Sequence, residues 1–288
     1  MSSGASRSPP TLGQMLLGTE GLALLRLSTA DNATARDARV AEIRTLLARY
    51  DVELAAPLSA PEYDLRRGYA IWAQTYDAPL RLFPIEEPAV RGLLADLPPG
   101  RVLDAACGTG RHSVWLAEQG HEVIGIDASP DMLAKARAKL PQARFETGDL
   151  TALPLPDASV DAALCALALV HLPDLGAPLA EIARVVRPGG RLVVSDVHPF
   201  LTALGWQAQF RAADGGTGFV RLNRHLPSDY VRAAVAAGLV VQGMAEPPLL
   251  PDSAVTVAQG PIPEANELAW AGLPGVIVLD LLRPRSAA

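Results

Sequence analysis

Apolar and polar positions change their period several times along the chain, and the changes mark elements. Over residues 12–50 the pattern is helical. Val40, Ile43, Leu46 and Leu47 recur at i, i+3, i+6 and i+7, one face of a helix, and Asp31 or Asn32 stands where an N-cap belongs. Residues 54–61 are rich in Ala and Pro and read as a linker, which places a boundary near residue 60. Residues 1–10 are small and polar and read as disordered.

Beyond the linker lies an aromatic segment, 63–81, which holds Tyr63, Tyr69, Trp72 and Tyr76. A short helix is predicted over 88–97, stopped by Pro98-Pro99-Gly100. Strands and helices then alternate. Strands are predicted at 101–105, 121–126, 144–147, 160–167 and 191–197. Helices are predicted at 110–119, 130–140 and 179–186, the last ended by Arg187-Pro188-Gly189-Gly190. The 160–167 run lacks alternation, as a strand buried on both faces does. The pattern breaks over 200–226, which reads as irregular and carries Gly215-Gly216. A helix at 227–237 and strands at 239–244 and 276–282 follow, the two strands expected as a closing hairpin at the sheet edge. The seven strands predict an α/β fold with right-handed crossovers: a doubly wound, mostly parallel seven-stranded sheet, with an N-terminal helical extension and an insert after the fifth strand.

Composition narrows the class. The chain has 288 residues, 49% of them hydrophobic, so it can bury a sizeable core. Its net charge is -6, and its nearest approach to a basic cluster is the pair Arg66-Arg67, so no nucleic-acid partner is expected. No apolar stretch reaches the ~18 residues of a membrane span, and the first ten residues lack the apolar region of a secretory leader. The two cysteines, Cys107 and Cys165, lie in or beside core strands and are expected to be reduced. The cytoplasm is the expected location.

Three candidate ligand signals follow three successive strands. After Asp104, Gly108 and Gly110 permit a tight turn into a helix whose free N–H groups face the ligand side. Asp127 ends the second strand, 17 residues after Gly110 (127 − 110). A carboxylate there accepts both hydroxyls of a ribose; alternatively, Asp127 or Ser129 caps the helix from Pro130. Gly148-Asp149-Leu150 follows the third strand, where a carboxylate accepts from an exocyclic amine or simply closes a turn.

Taken together, Val102-Leu103-Asp104-Ala105-Ala106-Cys107-Gly108-Thr109-Gly110, Val123–Pro130, Gly148-Asp149 and Arg187–Gly190 resemble the successive motifs of class I S-adenosylmethionine (SAM)-dependent methyltransferases. The resemblance covers roughly residues 61–288 and is strongest over 101–198. It implies a Rossmann-like domain with SAM as cofactor and S-adenosylhomocysteine (SAH) as product. It implies that Asp104, Ala106, Gly108 and Gly110 line the methionine part and that Asp127 holds the ribose. Asp149 with Leu150 would contact adenine, Met132 would pack on its ring, and Ala166 or Leu167 would lie near the methionine amino group. Ala128 and Gly148, within the same motifs, join the expected cofactor residues. The third glycine of a dinucleotide fingerprint would fall at position 113, which is Ser113 and argues against a dehydrogenase. The stretch Tyr69–Asp77 resembles the lid of small-molecule members, in which Tyr69, Trp72 and Tyr76 would close over the cofactor. A sulfonium is drawn to aromatic faces. Burial of Trp72 and Tyr76 against the sheet is the alternative.

On the acceptor side, histidine is the usual proton-handling group. His171 follows the fourth strand, His198 the fifth, and His225 lies in the insert; these three are the candidate catalytic residues. Asp196-x-His198 has no second acidic cluster beside it, so no metal is expected. Phe200, Trp206, Phe210 and Phe219 in the 200–226 insert suit a small organic acceptor, aromatic or of secondary-metabolite type, or seal a satellite core. The 1–60 extension is expected to serve as part of a cap or as a homodimer contact. A non-catalytic SAM-binding protein and an NAD-dependent oxidoreductase remain the rival readings.

Overall fold

The expected strands assemble into one sheet in the computed structural model, which describes residues 9–58 and 60–285. The disorder expected of residues 1–8 lies outside the described residues. In chain order the elements are α1 (Leu12–Arg26), α2 (Ala33–Glu53), β1 (Glu62–Tyr63), α3 (Leu65–Trp72), α4 (Phe83–Leu94), β2 (Arg101–Ala105), α5 (Arg111–Glu118), β3 (Glu122–Asp127) and α6 (Pro130–Lys139). They continue as β4 (Arg144–Thr147), β5 (Val160–Ala166), α7 (Gly176–Val185), β6 (Val186–Val197), α8 (Pro199–Ala203), β7 (Ala208–Arg211), β8 (Thr217–Val220), α9 (Pro227–Ala236), β9 (Val240–Ala245), α10 (Pro263–Trp270) and β10 (Val276–Leu282). The contacts divide the chain into two units. One is the stretch up to Ala60 with Pro248–Leu273; the other is Pro61–Pro247 with Pro274 onward.

In the larger unit the seven-stranded sheet runs β4-β3-β2-β5-β6-β10-β9, with β10 antiparallel to both neighbours. Strand order reverses between β2 and β5, so the carboxyl ends of these two strands open the crevice where ligands of such sheets sit. Alternate residues of each strand serve opposite faces. Leu103, Ile126, Cys165, Val194 and Ile277 join one core with Ile182 of α7 and Tyr230 of α9. On the other side α4, α5 and α6 cover the sheet, and Leu133 and Ala136 of α6 pack with Cys107 and Phe145.

Within this unit four sequence expectations need correction. The helix expected from Pro88 begins at Phe83 and runs through Pro88. Its first turn holds Pro84, where a missing N–H costs nothing, and it buries Ile85, Glu86, Val90 and Leu94. Arg187–Gly190 does not end a helix in a loop: β6 starts at Val186. A Cβ at Gly190 would stand 2.5 Å from the Asp161 carbonyl oxygen, so only glycine lets the strand keep pairing there, across a register shift. The 200–226 insert is ordered. It holds α8 and the β7–β8 hairpin, and β8 pairs in parallel with β1 as a three-stranded sheet. Strands of two and four residues are too short to show a period. Finally, β9 and β10 do pair antiparallel, but β10 sits inside the sheet against β6. Val276–Leu282 is almost wholly apolar and buried, which suits an inner strand, whereas β9 is largely exposed and forms the edge.

The smaller unit is helical. Asn32 caps α2 by accepting the Ala35 N–H at 2.9 Å. Residues 248–273, read from the sequence as part of the larger domain, join it through α10, which packs on α1. Arg26 donates to the carbonyls of Ala269 at 3.0 Å and Ala271 at 2.7 Å. The fully buried Glu20 meets Arg39 at 3.2 Å, and Arg39 reaches Glu264 at 3.2 Å.

Candidate active site

The glycine loop is a turn that glycine and strain both shape. Cys107 donates its N–H to the Ile126 carbonyl at 3.0 Å, and Gly110 donates to the Cys107 carbonyl at 2.9 Å. Ala106, Gly108 and Gly110 take φ of 58°, 55° and 80°. Leu167, just past β5, takes 54°. Two non-glycine residues thus hold left-handed backbone at the ends of the two switch-point strands, and strain of this kind collects at functional sites. A Cβ at Gly110 would press on Ala136 at 3.1 Å, whereas one at Gly108 would have no neighbour within 4 Å among the described residues. The backbone at Gly108 therefore faces open space, a cradle that a Cβ would fill.

Asp127 closes the other side of that cradle. Its Oδ2 accepts the Gly108 N–H at 2.8 Å and its Oδ1 accepts the Ser129 N–H at 2.8 Å. Each oxygen spends one lone pair on backbone and keeps one for a ligand hydroxyl, a good match for a vicinal diol. Burial raises its pKa, and the two N–H groups oppose that. The helix-cap alternative falls to Ser129, which accepts the Met132 N–H at 3.3 Å. Met132 itself is fully buried at the start of α6, and Ala128 is exposed. A Cβ at Gly148 would lie 2.8 Å from Ile126, so that strand end needs glycine. Asp149 is exposed, and its Oδ1 accepts both the N–H and the hydroxyl of Thr151 at 2.8 and 2.7 Å. Leu150 packs against the core, and Ala166 pairs with Ser195 at the end of β5.

Beneath the loop lies a polar network that sequence reasoning missed. Glu86 of α4 is fully buried. It accepts Arg111 at 2.8 Å and the Ser195 hydroxyl at 2.7 Å, and meets His112 Nε2 at 3.2 Å. Burial alone would push this carboxyl up; His112, Arg111 and Ser195 outweigh it and hold the pKa at about 2. Beside it, Ser113 donates to the buried Asp104 at 2.6 Å. The residue that departs from a dinucleotide fingerprint therefore has a task of its own. Nothing in the local sequence marks Glu86 except an acid on an otherwise apolar helix face.

The side chains of Tyr69, Trp72 and Tyr76 come together as an aromatic group. Trp72 is buried and stacks on Phe210, with centroids 5.5 Å apart, in a small cluster with Val220. Phe210 of the insert thus seals a small satellite cluster, and Trp72 is buried in it. Asp77, one residue past Tyr76, accepts Thr109 of the glycine loop at 2.6 Å and Lys139 of α6 at 2.6 Å. Tyr76 is pushed up to about 12, burial being the main cause. Tyr69 meets His171 Nε2 at 2.7 Å, ring edge to ring face. Burial raises Tyr69 well above its ordinary value, with Tyr76, Asp127 and Asp196 adding to it. Burial lowers His171 to about 4, against a smaller opposing effect of the Arg221 backbone. Both groups are neutral near pH 7.

The other two candidate histidines have different partners. His198 caps α8, its Nδ1 accepting the Phe200 N–H at 3.1 Å, and its Nε2 meets Glu246 at 2.9 Å. His225 meets the Leu172 carbonyl at 2.9 Å. Asp196, buried near the end of β6, accepts Val170 N–H at 2.6 Å, Tyr230 hydroxyl at 3.0 Å and Val197 N–H at 2.9 Å, and burial raises it to about 7.

A family model described as a methyltransferase domain matches residues 103–194. A malonyl-[acyl-carrier protein] O-methyltransferase of Serratia marcescens is 36% identical over 168 residues, 57% of this chain and 63% of the relative. A demethylmenaquinone methyltransferase of Deinococcus radiodurans is 46% identical over 107 residues, 35% of this chain and 44% of the relative. The chain thus spans about half to two thirds of the length of these relatives. Among solved structures, a SAM-dependent methyltransferase from Mesorhizobium loti superposes with a TM-score of 0.53 at 25% identity, over 68% of this chain and 97% of its own. The region built on β2 to β6 is thus a methyltransferase domain, similar to those of class I SAM-dependent methyltransferases.

Proposed function

We propose that the protein transfers the methyl group of SAM to an oxygen, nitrogen or electron-rich carbon of a small organic acceptor. The observation that carries this is the Asp127 carboxylate, pinned by one backbone N–H on each oxygen beside the open backbone of Gly108. That cradle fits a nucleoside ribose on Asp127 and the methionine part along Ala106–Gly110, with Asp149 and Leu150 toward the base. When bound, SAM supplies a methyl group on a positive sulfur, ready for displacement. The lid holds aromatic faces near that charge, and Asp77 ties the lid to the glycine loop. An organic acceptor is supported by the names of the relatives, a malonyl group in one and demethylmenaquinone in the other. The two cysteines are buried and free, which fits a reducing compartment, and we place the reaction in the cytoplasm.

Of the candidate histidines, His171 is the one that meets a lid hydroxyl. In this reading Tyr69 and His171 face the acceptor as a neutral hydrogen-bonded pair that orients it and takes up its proton when it carries one. His198, with one nitrogen on Phe200 and the other on Glu246, holds α8 in place. The test is turnover with SAM against a panel of phenols, carboxylic acids, amines and enols, read as SAH and methylated product. SAH forming with at least one class above the no-acceptor rate is expected; no SAH with any class contradicts catalysis.

A further inference from the structure

The two halves of the Tyr69–His171 pair come from distant parts of the chain, yet one short segment touches both. β8 pairs in parallel with β1, Tyr63 opposite Val220, and α3 follows at once behind its cap, Asp64. In α3 a Cβ at Gly68 would stand 2.2 Å from Val220 Cγ2, so the helix backbone rests directly on that side chain. Tyr69 is the next residue. Three residues beyond Val220, Asn223 donates both its backbone N–H, at 2.8 Å, and its Nδ2, at 3.1 Å, to the Val170 carbonyl. The opposite side of the same peptide turn is held by Asp196, which accepts the Val170 N–H at 2.6 Å. His225 reaches the Leu172 carbonyl at 2.9 Å. His171 lies between these two carbonyls.

We propose that Asn223 is a positioning residue for the Tyr69–His171 pair, and that the segment from Val220 to His225 sets the two side chains at their bonding distance. The physical reason is leverage. Two donors on one carbonyl fix the position and the tilt of the Val170 peptide, and His171 follows from it. The other end of the segment fixes α3, and Tyr69 follows from that. A group that must stay within a fraction of an ångström of its partner needs such support, because a misplacement of about 1 Å can cost on the order of 100-fold in rate. The consequence for the acceptor side rests on the reading of the pair given above; the geometric claim does not.

The test is therefore made on the protein with SAH alone. Asn223→Ala removes the side-chain donor and leaves the backbone one. Its His171 imidazole ¹⁵N resonances are compared with those of the wild type and of Tyr69→Phe, which deletes the hydroxyl outright. The expected result is a shift of the Asn223→Ala signals toward those of Tyr69→Phe, with SAH affinity within about twofold of wild type. Wild-type resonances in Asn223→Ala, with a clear shift in Tyr69→Phe, overturn the proposal. Should Asn223→Ala not fold, Asn223→Leu, which fills similar space without a donor, is read by the same criterion. Failure of the acceptor reading shows separately, as His171→Ala turning over at the wild-type rate.

Discussion

Gly108 donates its backbone N–H to Oδ2 of Asp127 at 2.8 Å, a bond that joins the ends of two neighbouring parallel strands across the mouth of the crevice. It makes the glycine loop and the acidic residue one object. Substituting the two loop glycines separates its roles. Gly108→Ala adds a methyl into open space at φ 55°, so the fold should persist at a cost of about 1 kcal/mol while SAH affinity falls at least about tenfold. Gly110→Ala drives a methyl against Ala136 at 3.1 Å at φ 80° and should cost roughly 2–4 kcal/mol of stability. Thermal melts with SAH titrations check both; equal effects of the two variants on melting would contradict the assignment.

The three histidines should differ in kind. His171→Ala should lower turnover by about 100-fold, in the usual range for a lost proton-handling group, with SAH binding unchanged. His198→Ala should lose its cap bond to Phe200, at roughly 1 kcal/mol of stability, with turnover changed little. Steady-state kinetics beside melts of the same preparations decide it. A large turnover defect confined to His198→Ala would move the acceptor site to the end of β6.

Glu86 carries a pH signature. Its carboxyl is held at about 2, below the ordinary 4.5. Between those values the unfolded chain binds a proton that the folded chain does not, so stability is complete above about pH 4.5 and drains away as pH falls toward 2. The contribution is about 3 kcal/mol across that window. Glu86→Gln should remove this dependence. It should also cost roughly 3 kcal/mol at neutral pH, since Arg111 and His112 lose their buried partner. Urea unfolding at several pH values measures both effects, and an unchanged acid slope would show that Glu86 does not carry it.

How far these features were readable in the chain depends on their length and on whether they are local. β2 and β10 were legible to the residue as largely apolar runs bounded by turn signals, and β4, Arg144-Phe145-Glu146-Thr147, by its place in the alternation of strands and helices. The turn at the glycine loop and the places of Asp127 and Asp149 at strand ends were legible, because turn signals close each of those strands. The β7–β8 hairpin and the two-residue β1 were not, since four residues carry no usable period. The place of β10 between β6 and β9 depends on which strand tolerates burial on both sides, a comparison rather than a local signal. The Tyr69–His171 contact spans 102 residues and passes through Gly68, Val220 and Asn223, none of which a motif marks. Glu86 escaped notice for the same reason: its three partners lie on α5 and β6.

The most direct measurement is calorimetric titration of SAH into the wild type and Asp127→Ala, with NADH as the control ligand. The account predicts saturable SAH binding by the wild type, at least about a tenfold weakening in a folded Asp127→Ala, and no NADH binding by either. SAH binding equal in the two proteins would contradict the ribose site, and binding of NADH in place of SAH would contradict the cofactor assignment.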